Sequence, residues 1–141
     1  MLAEKAGLKI EEHMVSTPDG FYLSLFHVVG KVGEEEEEGS DERGHPVLLL
    51  HGLMMDSEVF VCSQKSSLAY FLYSEGLDVW IGNNRGNRYS HKHLKLSPSD
   101  KEYWNFSMDE FARYDVPSFI NHVSSSLLFF FLFSFFFLVV C

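Results

Sequence analysis

The 141 residues leave room for one modest domain, and the hydrophobic content of 46% overstates its core, because a large share of the 14 phenylalanines stands near the carboxyl end. Net charge is −9, from 20 acidic against 11 basic residues, and no basic patch is present to neutralise phosphates, which excludes nucleic acid as a partner. Cys62 and Cys141 lie far apart in unlike contexts and make neither a disulfide framework nor a zinc site. The first nine residues lack the apolar run of a secretory signal peptide, so no address is read and the compartment stays open.

Taken in order, residues 11–16 are expected as a strand. Thr17-Pro18-Asp19-Gly20 is a turn, with proline pre-set at the second position and glycine at the last. Residues 21–29 then form the second arm of a hairpin. Residues 31–45 carry seven acids against two bases, including five consecutive glutamates bracketed by glycines. Like charges repel and stay solvated, so this segment is expected as a surface loop. Next comes Pro46-Val47-Leu48-Leu49-Leu50-His51-Gly52-Leu53, a short apolar run that reads as a strand buried on both faces of a parallel sheet. Gly52 allows a tight turn, so that N–H groups beyond it face the crevice at the strands' carboxyl ends, where ligands sit in open α/β sheets.

Residues 54–63 look loop-like, and a helix follows, capped by Ser66 or Ser67 and stopped by Gly76. Leu77-Asp78-Val79-Trp80-Ile81 is the next strand, ending at Gly82 and followed by the polar loop 83–88. Ser107-Met108-Asp109-Glu110 has the form of a capping box. Met108, Phe111, Ala112, Val116, Phe119, Ile120 and Val123 keep helical spacing on one face, and Pro117 is expected to kink that helix. Strand, helix, strand, loop, helix predicts an α/β fold with parallel pairing.

Several segments together resemble the acid lipase family of gastric and lysosomal lipases and steryl ester hydrolases. They are Glu12-His13, Asp19-Gly20-Phe21-Tyr22-Leu23, His51-Gly52-Leu53, residues 77–87, residues 97–104 and residues 109–115. The resemblance runs from about residue 7 to residue 123. It implies a partial α/β-hydrolase fold: an N-terminal hairpin, then the first parallel strands and their helices, truncated before the nucleophile strand. It also implies lipid-ester hydrolysis, of triacylglycerol or steryl ester, by a Ser-His-Asp mechanism without cofactor. In such hydrolases the loop after the third strand supplies one oxyanion-hole N–H. That role maps onto Leu53, with His51 and Gly52 shaping the loop. His51 is expected as a structural histidine, and Arg85 as the partner of Asp109 or Asp115. The family's G-x-S-x-G elbow occurs nowhere in the chain, so the Ser, Asp and His of the triad are not present and the chain by itself is expected to be catalytically incomplete.

Other histidines suggest no further chemistry. His91 and His93 are two apart, while His13, His45 and His122 are scattered, so no metal is expected. Ser90-His91 are sequence neighbours, which is not how a catalytic pair is recognised. The chain divides into a lipase-like region, residues 1–123, and a tail, residues 124–141, that is Ser, Leu and Phe up to residue 138. Its 19 uncharged residues from Val123 onward are near the lower end for spanning a bilayer. A non-catalytic protein held to a membrane or lipid-droplet surface through 124–141 is therefore one expectation. Read-through into a pyrimidine-rich intron end is the other, and the favoured one. It carries the further expectation of an unpaired sheet edge prone to aggregation.

Overall fold

Two extended runs on either side of the turn at residues 17–20 make a long hairpin. In this computed structural model the described residues are 2–33, 44–126 and 136–139. The glutamate run at 34–38, most of the acidic loop and tail residues 127–135 lie outside them. Strand β1, Leu8–Ser16, pairs antiparallel with β2, Phe21–Lys31. Both arms are longer than the sequence pattern suggested. The turn between them closes as expected, with Gly20 at φ +100° and its N–H donating to the Thr17 carbonyl at 3.0 Å. Thr17 Oγ1 accepts the Phe21 N–H at 2.9 Å, so the hydroxyl replaces a ladder partner.

Strands β3, Pro46–Leu50, and β4, Asp78–Gly82, run parallel, from Pro46 opposite Asp78 to Leu50 opposite Gly82. Strand β4 also pairs antiparallel with β2, and the two-residue β5, Lys92–His93, adds to the far end of β2. A last strand, β6 at Phe136–Val139, pairs parallel with β3, giving the order β1-β2-β4-β3-β6. The exposed edge expected beside β3 is therefore covered, by four tail residues of high strand propensity that satisfy its backbone groups.

Layers on both faces explain why β3 and β4 read as apolar runs. Val47, Leu49, Val79 and Ile81 pack to one side with Ala3, Leu8, Phe26, Phe60 and Ala69. Leu48, Leu50 and Trp80 pack to the other with Leu23, Leu25, Tyr103, Phe119 and Val123. Complete burial of each large aliphatic side chain contributes about 1.5–3 kcal/mol.

Helix α1, Leu2–Lys5, and helix α2, Leu68–Ser74, belong to the first layer. Ser67 caps α2, its Oγ accepting the Tyr70 N–H, and Gly76 at φ +82° ends the turn that follows. The stretch expected as a loop after β3 contains a 3₁₀ turn, Ser57–Phe60, capped by Asp56 and burying Phe60.

Opposite lie a single helical turn, α3 at Met108–Glu110, and helix α4, Val116–Ser126. The capping box at Ser107 forms with both of its hydrogen bonds. The expected apolar face is only partly realised. Phe119 and Val123 are buried, Met108 and Ala112 are exposed, and Asp115 lies in the interior. The cause is a π-turn over Phe111–Asp115, where the Val116 N–H bonds to the Phe111 carbonyl and the extra residue rotates the face. Pro117 follows at once, and the wide turn relieves the clash its ring would make with the carbonyl four residues back. Among the described residues no helix is long and apolar enough to cross a membrane.

Candidate active site

The loops leaving the carboxyl ends of β3 and β4 are bound together through His51. Its Nε2 accepts the backbone N–H of Asn84 at 3.1 Å and lies 3.1 Å from Asn87 Nδ2. Nδ1 is 2.8 Å from the Gly52 carbonyl oxygen. An Nε2 that accepts from two N–H groups leaves the proton on Nδ1, which donates to Gly52. Burial holds the His51 pKa below its ordinary value, although the Gly52 carbonyl and Asp56 pull upward. A neutral imidazole with both nitrogens engaged fixes the loop and has no lone pair to offer as a base.

This arrangement makes a pH prediction. In the unfolded chain His51 titrates near 6.5, whereas in the folded chain it takes its proton only at lower pH. Well above pH 6.5 His51 is neutral in both states and its contribution to stability does not change with pH. As pH falls through that value the unfolded state gains a proton the folded state refuses, so stability drops until the folded pKa is reached. Urea midpoints at about pH 7.5 and about pH 5.5 should therefore differ more for the wild-type chain than for His51→Gln. Equal differences would remove His51 from the account.

Asn83, fully buried at the end of β4, anchors the second loop. Its Oδ1 accepts from the Ser57 N–H and from Asn87 Nδ2, both at 3.0 Å. Its backbone N–H and Nδ2 donate to the Ser24 carbonyl on β2. Ser90 Oγ donates to the Asn83 carbonyl at 2.7 Å and accepts the Ser24 N–H at 2.8 Å, so this hydroxyl is structural and does not meet His91. His91 instead bonds the Arg88 carbonyl, and His93 the Asp19 carbonyl.

Above this platform the chain after Gly52 projects outward. Leu53 is 65% exposed and Met54 95%, with Met54 in the left-handed region at φ +61°. Among the described residues, no group of the chain accepts a hydrogen bond from the Leu53 N–H.

Arg85 sits below, its side chain 1% exposed. Nε and Nη2 donate to Asp115 Oδ1 at 2.9 and 2.7 Å, and its backbone N–H donates to Oδ2 at 3.0 Å. Of the two carboxylates expected as partners, Asp115 is the one engaged, because Asp109 stands on the exposed turn. Asp19, 66 positions away and marked as a partner by no local pattern, also receives Nη1 at 2.5 Å and Nη2 at 3.0 Å from across the hairpin turn. Partial burial works to raise the Asp19 carboxyl, but hydrogen bonds from Arg85 and Thr17 outweigh it and hold the pKa low.

Comparisons with known proteins agree with this layout. Residues 1–64 match the model of the partial alpha/beta-hydrolase lipase region. The chain is 43% identical over 119 residues to human lysosomal acid lipase/cholesteryl ester hydrolase, covering 83% of this chain and 29% of that protein. Sterol esterase 2 of Saccharomyces cerevisiae is 40% identical over 121 residues, covering 85% of this chain and 22% of that protein. Triacylglycerol lipase 1 of Arabidopsis thaliana is 41% identical over 125 residues, covering 88% and 30%. The chain thus spans less than a third of the length of these relatives. An esterase of Pyrococcus furiosus shares the fold, with a TM-score of 0.56 at 16% identity, covering 89% of this chain and 37% of that one. A strand–His–Gly loop resting on a parallel pair and a hairpin, together with these identities, places the chain in the acid lipase and steryl ester hydrolase family of α/β-hydrolases.

Proposed function

We propose that this chain serves lipid-ester hydrolysis, supplying the loop that stabilises the oxyanion. The observation that carries this reading is the Leu53 N–H, unbonded within the described residues at the carboxyl end of β3 and held in place by His51. Attack on an ester carbonyl places negative charge on its oxygen, and a fixed N–H aimed there lowers the barrier. His51 orients the loop from below while Gly52 makes the turn. Exposed Leu53, Met54 and Met55 offer an apolar surface suited to acyl chains. The nucleophile elbow is absent from the 141 residues, so the attacking serine, its histidine and their acid belong to residues outside this sequence. Triacylglycerols and steryl esters are the substrate classes proposed, following the names of the relatives. A lipid surface is where such substrates are met.

The test pairs transcript sequencing across the Val123 codon with hydrolysis assays. A spliced product that runs on into a strand and a G-x-S-x-G should hydrolyse p-nitrophenyl octanoate and either triolein or cholesteryl oleate, while the 141-residue chain should not. If every transcript encodes the Ser/Leu/Phe tail and no product hydrolyses an ester, the catalytic reading falls. The non-catalytic protein attached through 124–141 would then take its place.

A further inference from the structure

We propose that Glu11, His13 and His27 form a binding site for a divalent transition metal, zinc being the cation that suits two imidazoles and a carboxylate. The site lies on β1 and β2, apart from the loops that follow β3 and β4, and does not depend on the hydrolytic reading. Glu11 and His13 are two apart on one strand, so their side chains leave the same face. Glu11 stands directly opposite His27 on the neighbouring strand. One ligand atom from each of the three lies within 4.8 Å of the others, and His13 Nε2 is 3.8 Å from Glu11 Oε2. Ligands about 2 Å from a tetrahedral zinc ion are roughly 3.4 Å apart, so small side-chain movements bring these atoms to coordinating distance.

A second observation points the same way. His13 Nε2 is shielded from solvent and has no hydrogen-bond partner. The other nitrogen of that ring, Nδ1, is 3.2 Å from Nε2 of His122 on α4. With the proton on Nδ1 and donated to His122, Nε2 presents a lone pair toward a carboxylate. That pairing is repulsive by itself and becomes favourable with a cation between the two.

The surroundings also hold the rings as a metal site needs. His27 Nε2 lies 2.6 Å from Asp78 Oδ1, the carboxylate–imidazole pairing that orients metal-binding histidines. Asp78 is itself fixed by Trp80 Nε1, which donates to Oδ2 at 2.7 Å. The Trp80 ring stacks on His27 with centroids 3.8 Å apart and planes 3° from parallel, which prevents the imidazole from swinging away. Three protein ligands leave a fourth position for water, on the side where Glu11 meets solvent.

Calorimetric titration of the full 141-residue chain with zinc chloride tests this, repeated with Glu11→Gln, His13→Gln and His91→Asn. Glu11 is exposed, so its amide variant should keep the fold, which circular dichroism checks in every case. The expected result is binding of a single ion, weakened at least about tenfold by Glu11→Gln and by His13→Gln, and unaltered by His91→Asn. Cobalt(II) added in place of zinc should give visible absorption of tetrahedral intensity that both weakening variants lose. Absence of zinc binding overturns the proposal. So does binding that persists in Glu11→Gln and His13→Gln while His91→Asn removes it, since the ion would then sit on the exposed His91 and His93 segment.

Discussion

Replacing Arg85 with alanine should destabilise the chain by about 3–5 kcal/mol, the cost of breaking a buried ion pair from one side. The guanidinium is 1% exposed and Asp115 is fully buried, so the remaining carboxylate cannot recover its lost bonds from water. Only the backbone N–H of residue 85 would still reach it, at 3.0 Å. Asp19 would lose both of its guanidinium contacts as well, freeing the hairpin turn from the loop after β4. A further loss comes from Phe21, whose ring centre lies 4.1 Å from the guanidinium carbon, a stacking worth about 0.5–2 kcal/mol. Arg85→Lys should recover little, because an ammonium cannot reproduce a fork that serves two carboxylates at once. Urea denaturation monitored by tryptophan fluorescence reads the effect directly. A loss below about 1 kcal/mol for Arg85→Ala would show that the cluster does not hold these elements together.

Among changes within these 141 residues, removing the Leu53 N–H should be the most damaging to turnover. In a product that carries the nucleophile elbow, Leu53→Pro should lower kcat by about 10²–10³, the usual cost of one oxyanion donor, with a smaller effect on KM. Leu53→Ala keeps the N–H and should lower kcat by much less than the proline variant. The comparison separates the backbone group from the apolar side chain, which is exposed and free to touch substrate. Equal losses in the two variants would assign the role to the side chain. No loss in either would remove Leu53 from the chemistry. The stability of each variant is measured alongside, because proline also restricts the backbone at the turn.

Elements whose signals are local were legible in the sequence. The turn at residues 17–20, a serine cap at 66 or 67, the Ser107 capping box and the apolar runs of β3 and β4 all show in neighbouring residues, whereas the choice of Ser67 over Ser66 and of Asp115 over Asp109 as the partner of Arg85 was made by the fold. What failed was the face of the last helix. Spacing placed Met108 and Ala112 toward the core, and the π-turn at Phe111–Asp115 rotated them out while carrying Asp115 inward to meet Arg85. No hydrophobic pattern announces a π-turn, because the inserted residue is chosen by what must reach the interior and not by propensity.

The sequence by itself determined the hairpin, the β3 and β4 strands with their parallel pairing, and the His-Gly turn that leaves β3, because each shows in a contiguous run of residues. Tertiary structure alone decided three things. His51 was given its tautomer by Asn84, 33 positions along the chain. Asp19 was recruited to Arg85 across 66 positions. His13 and His27 were brought together with Glu11 on adjoining strands, in a register that no one-dimensional spacing reports. The physical reason is the same in each case: a polar side chain removed from water must find its partner wherever the fold places one, and sequence distance carries no weight in that choice.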